Sequence, residues 1–153
     1  MSAAEKRAKA ILFSADPSMV DMGDAVAHLQ THRELYWSTG LRIHRNNFSF
    51  PILGFIHVNG QGGRYLAEIN DIIPFSADHF RDASVKPQTF RDSWENDPRD
   101  RAHPWKWELV MTGLKRFVFD TFRLEKWDGG FVKKAPQGYV RVIPLTPDDT
   151  RGM

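Results

Sequence analysis

Two apolar runs joined by a glycine-rich turn constrain the fold of this chain more than any other feature. The runs are residues 50–58 (FPILGFIHV) and 64–73 (RYLAEINDII), with Asn59-Gly60 and a short glycine-rich stretch between them. Asn-Gly between hydrophobic runs of this kind is a strong signal of a β-hairpin. We therefore expect an antiparallel pair of strands near the middle of the chain.

A strand and a helix are predicted before this hairpin. Residues 9–13 (KAILF) form a short apolar run that predicts a strand. Met22, Val26 and Leu29 then recur at the spacing of one helical face, and Pro17 suits a helix start, which predicts a helix over residues 18–35.

The remaining segments complete a strand-rich fold. Residues 42–49 are polar and predict a loop, and residues 76–104, with three prolines and dense charge, predict a long functional loop with a short helix. Further strands are predicted at residues 107–114, 117–122, 131–133 and 139–143. The fold class is therefore α+β: a compact, mostly antiparallel β-barrel of five to seven strands with a helix inserted after the first strand.

Length and composition exclude several classes of protein. A chain of 153 residues with 12% aromatic residues suits one folded domain, which we place at residues 8–145 with a flexible tail at 146–153. The absence of cysteine excludes disulfides, thiolate zinc sites and cysteine nucleophiles. No apolar run approaches 18 residues and no secretory signal is present, so we expect a cytoplasmic protein without a membrane partner.

The charge is distributed unevenly along the chain. The formal net charge is only +2. However, residues 33–64 hold four basic residues against one acidic, and residues 105–134 hold seven against four. Two basic blocks that flank a mixed-charge segment are compatible with a face that contacts phosphates, or with an ordinary solvated surface.

The sequence carries no catalytic or cofactor-binding motif. It has no GxSxG, P-loop or GxGxxG motif, and the glycines at 60–63 lie between two strands, as in a hairpin turn. His28 and His32 have a spacing that can bind a metal, but no HExxH pattern accompanies them. We therefore expect no catalytic residue, no metal and no cofactor.

The tryptophans are the best candidates for binding. Trp37 is followed by Ser38 and Thr39, and Trp105 and Trp107 are placed by strand alternation on the same face. Indole faces stack on nucleobases, for about 1–3 kcal/mol per base. The same residues could instead fill the core.

Taken in order, these motifs resemble the YTH and EVE domains of the PUA-like superfamily over roughly residues 8–145. The pattern is Phe13-Ser14 at the end of the first strand, a helix, Trp37-Ser38-Thr39, the hairpin, and then Trp105-Lys106-Trp107 before the next strand. The return strand keeps only Ala67-Glu68 and an apolar residue of the YTH pattern. This favours a prokaryotic relative, such as the DNA-reading domains of McrB-like modification-dependent restriction systems.

The resemblance implies a reader of a methylated or hydroxymethylated base, in DNA, which flips the base into an aromatic pocket. Carried over by position, the pocket residues are Ser14, Trp37, Ser38, Thr39, Trp105 and Trp107. The candidates for backbone phosphates are Arg42, His44, Arg45, Lys115 and Arg116. A partner nuclease or NTPase module is also implied.

Three alternatives remain open at this stage. An ASCH-like small hydrolase or ribonuclease of the same superfamily would need Tyr65, Glu68 and Lys115 to converge on a cleft. An RNA-binding PUA-like module would use the same pocket on a different polymer. A protein-interaction domain would use the tryptophans only as core residues.

Overall fold

The computed structural model describes residues 8–144, which form one six-stranded sheet with helices packed on it. The predicted tail at 146–153 lies outside the described residues. The strands and helices are β1 (Ala8–Ala15), α1 (Met22–Thr31), β2 (Leu35–Thr39), β3 (Phe48–Val58), β4 (Gly62–Pro74), α2 (Gln88–Asn96), α3 (Pro98–Ala102), β5 (Trp107–Phe119) and β6 (Tyr139–Arg141). None of the helices in the described range is long and apolar enough to cross a membrane.

The sheet is mixed, mostly antiparallel and open. Its strand order is β2-β5-β4-β3-β1-β6, and β1 runs parallel to β3 while every other pair is antiparallel. The prediction of an α+β fold with a helix after the first strand is confirmed. Within residues 8–144, β2 pairs only with β5 and β6 only with β1, so the predicted barrel is not closed.

The strand β1 is buried on both faces of the sheet, which explains its continuous apolar run. Ile11 and Phe13 point into the core beneath α1 and α2, whereas Ala10 and Leu12 point into a second core. Successive side chains of a strand alternate between faces, so only a strand covered on both sides needs apolar residues throughout. The second core is covered by the segment after β5, which contributes Leu124 and Val132.

The helix α1 is shorter than predicted because the residues before it form a turn and those after it form a strand. The carboxylate of Asp16 accepts hydrogen bonds from the backbone amide and the hydroxyl of Ser18. The carbonyl of Asp16 accepts from the amides of Met19 and Val20, which forms a turn. Asp21 then caps the helix by accepting from the Asp24 amide. At the other end, Leu35 begins β2 and pairs with Met111 of β5.

The segment predicted as a long loop is largely helical. Residues 77–102 contain a short 3-10 helix (Ala77–Arg81), α2 and α3, so the prediction for residues 76–104 was wrong in this respect. Asp97 caps α3 through the Arg99 amide, with Pro98 in the first turn. Conversely, the two strands predicted at 107–114 and 117–122 are a single strand, β5, which ends at Phe119. The strand predicted at 131–133 is only an isolated bridge between Phe131 and Glu125.

A glycine in β4 permits the close packing of β4 on β5. A Cβ atom at Gly63 would lie 2.5 Å from the carbonyl oxygen of Phe119, whereas at Gly113 the nearest atom would be 3.4 Å away. We therefore expect Gly63→Ala to lower the free energy of unfolding by about 1–3 kcal/mol, as overpacking does. Urea unfolding measures this change. The matched variant Gly113→Ala should cost clearly less, and equal losses in the two variants would contradict the explanation.

A second prediction concerns a buried histidine. The Nδ1 atom of His57 lies 2.7 Å from Thr121 Oγ1, and burial, assisted by the charge of Arg64, lowers the pKa of the imidazole. As the pH falls below about 6.5, the imidazole of His57 binds a proton in the unfolded chain but stays neutral in the folded chain. The free energy of unfolding therefore decreases. His57→Gln should flatten this loss in unfolding measured from pH 8 to 5. The exposed His44→Gln should keep the wild-type slope; an unchanged slope in His57→Gln would contradict the assignment.

Candidate functional site

A cleft of about 380 Å³, here called the main cavity, opens where β1 and β2 end. Its walls come from the end of β1, from β2 and the residues after it, and from the segments that precede β5 and β6. Apolar side chains line most of it, among them Ile11, Phe13, Val20, Leu41 and Leu109. The volume lies within the range of about 300–1,000 Å³ that is usual for small-ligand sites.

The structure gathers five of the six predicted pocket residues around the main cavity. They are Ser14, Trp37, Ser38, Thr39 and Trp105. Trp107 is not among the residues that line it. It is the first residue of β5, opposite Thr39 and Pro74, and it packs partly buried against the core.

The two tryptophans of the main cavity have different surroundings. Trp37 is only 7% exposed and packs edge-to-face on Phe13 and Phe90, with ring centroids 5.7 and 6.0 Å apart. It is therefore a core residue with one edge on the cavity. Trp105 is half-buried, stacks on His103 at 4.0 Å, and donates its indole N–H to the carbonyl of Asp100 at 2.6 Å.

An aromatic cluster holds Trp105 in place from behind. The ring centroid of Phe75 lies 6.4 Å from that of Trp105 and 6.0 Å from that of Trp94. The rings of Trp94 and Phe80 stack with their centroids 4.3 Å apart. The sequence analysis did not single out Trp94. In the structure it supports the wall of the main cavity through Phe75.

Existing hydrogen bonds determine what each hydroxyl of the cavity can offer a ligand. Ser14 donates to the carbonyl of Pro136 at 2.7 Å, so its oxygen remains free to accept. Ser38 accepts from the Lys86 ammonium at 2.8 Å, and Thr39 accepts from the Leu41 amide at 3.2 Å, so their hydroxyl hydrogens remain free to donate. The wall therefore presents one acceptor and two donors.

Behind Ser38 lies a fully buried ion pair that the sequence analysis missed. Lys86 and Glu108 are both 0% exposed, and Lys86 Nζ lies 2.8 Å from Glu108 Oε2. Nζ also donates to the carbonyl of Tyr36 and to Ser38 Oγ, each at 2.8 Å. The one sequence signal was Glu108 itself, a carboxylate within the apolar run WELVM.

The acceptor oxygens around Lys86 make its amino group a hydrogen-bond donor, although burial lowers its pKa. Burial lowers the pKa of the amino group, and the Glu108 carboxylate opposes this shift. Three oxygens surround Nζ, which matches the three N–H donors of an ammonium. Glu108 is held in turn by the ring of His79 and the amide of Ser76.

The predicted phosphate contacts fall into two groups. Arg42, His44 and Arg45 are exposed and lie beside Leu41 and Ile43, which line the main cavity. Arg45 pairs with Asp71 at 3.0 Å. Lys115 and Arg116 are exposed near the other end of β5, about 26–30 Å along the strand from Trp107 at roughly 3.3 Å per residue. The structure does not bring them to the cleft.

The three residues predicted for a hydrolase do not converge. Tyr65 packs against the core beneath α1, while Glu68 and Lys115 line a groove together with Leu66, whose side chain belongs to the second core on the opposite face of the sheet. Glu68 accepts a hydrogen bond from Thr112 at 3.0 Å. These positions therefore do not form a shared site.

His28 and His32 do not form a metal site. Their rings stack at 4.3 Å, and His28 Nε2 lies 2.9 and 3.1 Å from the carbonyls of Glu34 and Ser84, which requires it to donate rather than to bind a metal. No group of three or more histidine, aspartate or glutamate side chains suited to a metal occurs within residues 8–144.

The ion pair leads to a stability prediction. Lys86→Met leaves the Glu108 carboxylate buried with the cation removed, so we expect a loss of about 3–5 kcal/mol in urea unfolding. Adding Glu108→Leu should recover much of that loss, because the unpaired charge is gone. The exposed pair of Arg99 and Asp97 supplies the control: Arg99→Met should cost far less than Lys86→Met. A small loss in Lys86→Met would contradict the role given to the pair.

Comparison with known proteins gives a likeness to two solved structures. The chain is similar to the crystal structure of ASCH from Zymomonas mobilis, with 12% sequence identity, 94% of this chain and 92% of that chain covered, and a TM-score of 0.46. It is also similar to a tyrosine-to-phenylalanine mutant of the same protein, with 10% identity, 94% of each chain covered and a TM-score of 0.47. No protein-family model and no curated protein matches the chain.

Proposed function

We propose that this chain binds nucleic acid and reads a modified base, in DNA, by holding the flipped base in the main cavity. The observation that supports this most is the convergence of Ser14, Trp37, Ser38, Thr39 and Trp105 on one cleft. These residues come from three separate parts of the chain. Together they supply flat apolar walls and hydrogen-bonding groups, which are what a flipped base requires.

Trp105 is the stacking platform in this proposal. Its indole N–H is already bonded to Asp100, and Phe75 and His103 contact its ring, so its orientation is set before a ligand arrives. A pre-oriented platform loses little conformational entropy on binding. Stacking on it offsets the few kcal/mol that unstacking a base costs.

The hydroxyls of the cleft read the edge of the base. Ser38 and Thr39 donate to ring nitrogens or carbonyl oxygens, and Ser14 accepts from an N–H group. Because Lys86 occupies the oxygen of Ser38, the donor role of that hydroxyl is defined without a ligand.

Phosphate contacts would come first from the residues beside the cleft. Arg42 and His44 are exposed there, and Arg45 joins them despite its pairing with Asp71. Lys115 and Arg116 would reach only a distant part of a bound duplex.

We further propose that the chain is the specificity module of a modification-dependent restriction or defence system in the cytoplasm. In that system it would work with a nuclease or NTPase module.

One contact favours a second candidate, an ASCH-like hydrolase. Lys86 Nζ lies 2.8 Å from Ser38 Oγ, which is the spacing of a base and a nucleophile. The surroundings of Lys86 argue against the hydrolase, because acceptor oxygens lie on three sides of Nζ. An ammonium that donates to Ser38 has no lone pair with which to accept the proton of the serine hydroxyl. Turnover of a nucleic-acid or acylated-nucleoside substrate, abolished in Ser38→Ala, would establish the hydrolase and replace the reader.

Trp105→Ala tests the reader directly. We expect a loss of about 5- to 150-fold in affinity for the preferred modified oligonucleotide, the equivalent of the 1–3 kcal/mol that one stacked base contributes. Fluorescence anisotropy measures it with duplex DNA and single-stranded RNA carrying unmodified cytosine, 5-methylcytosine, 5-hydroxymethylcytosine or N6-methyladenine, at two salt concentrations. Trp105 is preferable to Trp37, whose truncation opens the core.

Trp127→Ala is the matched control, because Trp127 is partly buried against the core and does not line the main cavity. It should leave the preference unchanged. Equal, purely salt-dependent binding of every oligonucleotide would contradict the reader and leave a basic nucleic-acid surface. A preference confined to RNA would assign the same pocket to an RNA-binding module.

A further inference from the structure

A second, smaller cavity adjoins the main cavity. It measures about 70 Å³ and is here called the side chamber. It shares the wall formed by Met19, Val20, Trp37, Ser38 and Trp105 with the main cavity. Its volume holds a few water-sized groups, roughly two to five at ~15–30 Å³ each, and so admits a substituent rather than a ring.

The side chamber combines apolar walls with a buried carboxylate. Phe80 and Phe90 complete the apolar lining, and Ser93, Lys86 and Asp100 provide the polar part. Asp100 is 8% exposed, and its Oδ2 accepts a hydrogen bond from Ser93 Oγ at 2.8 Å. A carboxylate can accept about four hydrogen bonds, so Asp100 retains accepting capacity toward the chamber.

The other polar groups of the chamber make Asp100 its ligand-reading group. Lys86 Nζ donates to the carbonyl of Tyr36 and to Ser38 Oγ and pairs with Glu108 Oε2, and Ser93 donates its hydroxyl hydrogen to Asp100. The chamber therefore offers an incoming group the hydroxyl hydrogen of Ser38 and one negatively charged acceptor, the Asp100 carboxylate. Such a group is satisfied by a ligand O–H or N–H and repelled by another anion.

We infer that the side chamber selects a short ring substituent that ends in a hydrogen-bond donor, a hydroxymethyl group in preference to a methyl group. This rests on the proposed function, since the ring itself occupies the main cavity. A methyl group fits the chamber but displaces water from Asp100 without replacing its hydrogen bond. A carboxyl substituent meets the Asp100 carboxylate as a like charge and is excluded.

The test compares one oligonucleotide carrying 5-hydroxymethyl-, 5-methyl- or 5-carboxylcytosine. Wild-type protein should prefer hydroxymethyl to methyl by at least about tenfold, as one hydrogen bond to a charged group provides, and should bind the carboxyl form least. Asp100→Asn keeps the acceptor for Ser93 and removes the charge, so it should relieve the exclusion of the carboxyl form. Asp100→Leu should reverse the order of hydroxymethyl and methyl.

The exposed Asp128→Asn is the control and should keep the wild-type order. If Asp100→Leu does not fold, Asp100→Asn still decides the matter through the carboxyl form. Suppose the wild-type protein binds the hydroxymethyl and methyl forms equally and Trp105→Ala loses both. That result would contradict the selectivity inferred for the side chamber, while the proposed base-reading function would stand. Absence of binding to all modified oligonucleotides, in DNA and RNA, would overturn the reader and this inference with it.

Discussion

The ion pair between Lys86 and Glu108 is the interaction on which the cleft depends. It joins the segment before α2 to β5, and through the carbonyl of Tyr36 and the hydroxyl of Ser38 it also holds β2. Two buried charges are costly to desolvate, and their attraction offsets that cost only when the geometry is good and further hydrogen bonds are made. Here the oxygens around Lys86, with the amide of Ser76 on Glu108, meet that condition.

The same ion pair prepares the cleft for a ligand. The Lys86 ammonium donates to the oxygen of Ser38, so that hydroxyl keeps its hydrogen for a ligand, and Asp100 is the charged acceptor of the side chamber. Beside them, the aromatic cluster of Phe75, Phe80 and Trp94 orients Trp105. The cleft thus has its polarity and shape before a ligand binds, which lowers the entropic cost of binding.

The residues around the main cavity were accessible to sequence reasoning to an unequal degree. Trp37, Ser38 and Thr39 stood out because an indole followed by two hydroxyls combines a stacking surface with hydrogen-bonding groups. Trp107 was misplaced because strand alternation was extended back to Trp105, which precedes β5. Lys86 and Asp100 lay in a charged segment with no periodic pattern, and nothing local separates a buried lysine from an exposed one.

The sequence by itself determined the central hairpin, the helix after the first strand and the candidate binding residues, because turn chemistry and hydrophobic periodicity are local properties. Tertiary structure alone decided that residues 35–39 form an edge strand and that residues 77–102 fold into helices over the sheet. It also decided that the sheet stays open and that Lys86 meets Glu108. Each of these depends on a partner distant in the chain, whose position is set only when the whole core forms.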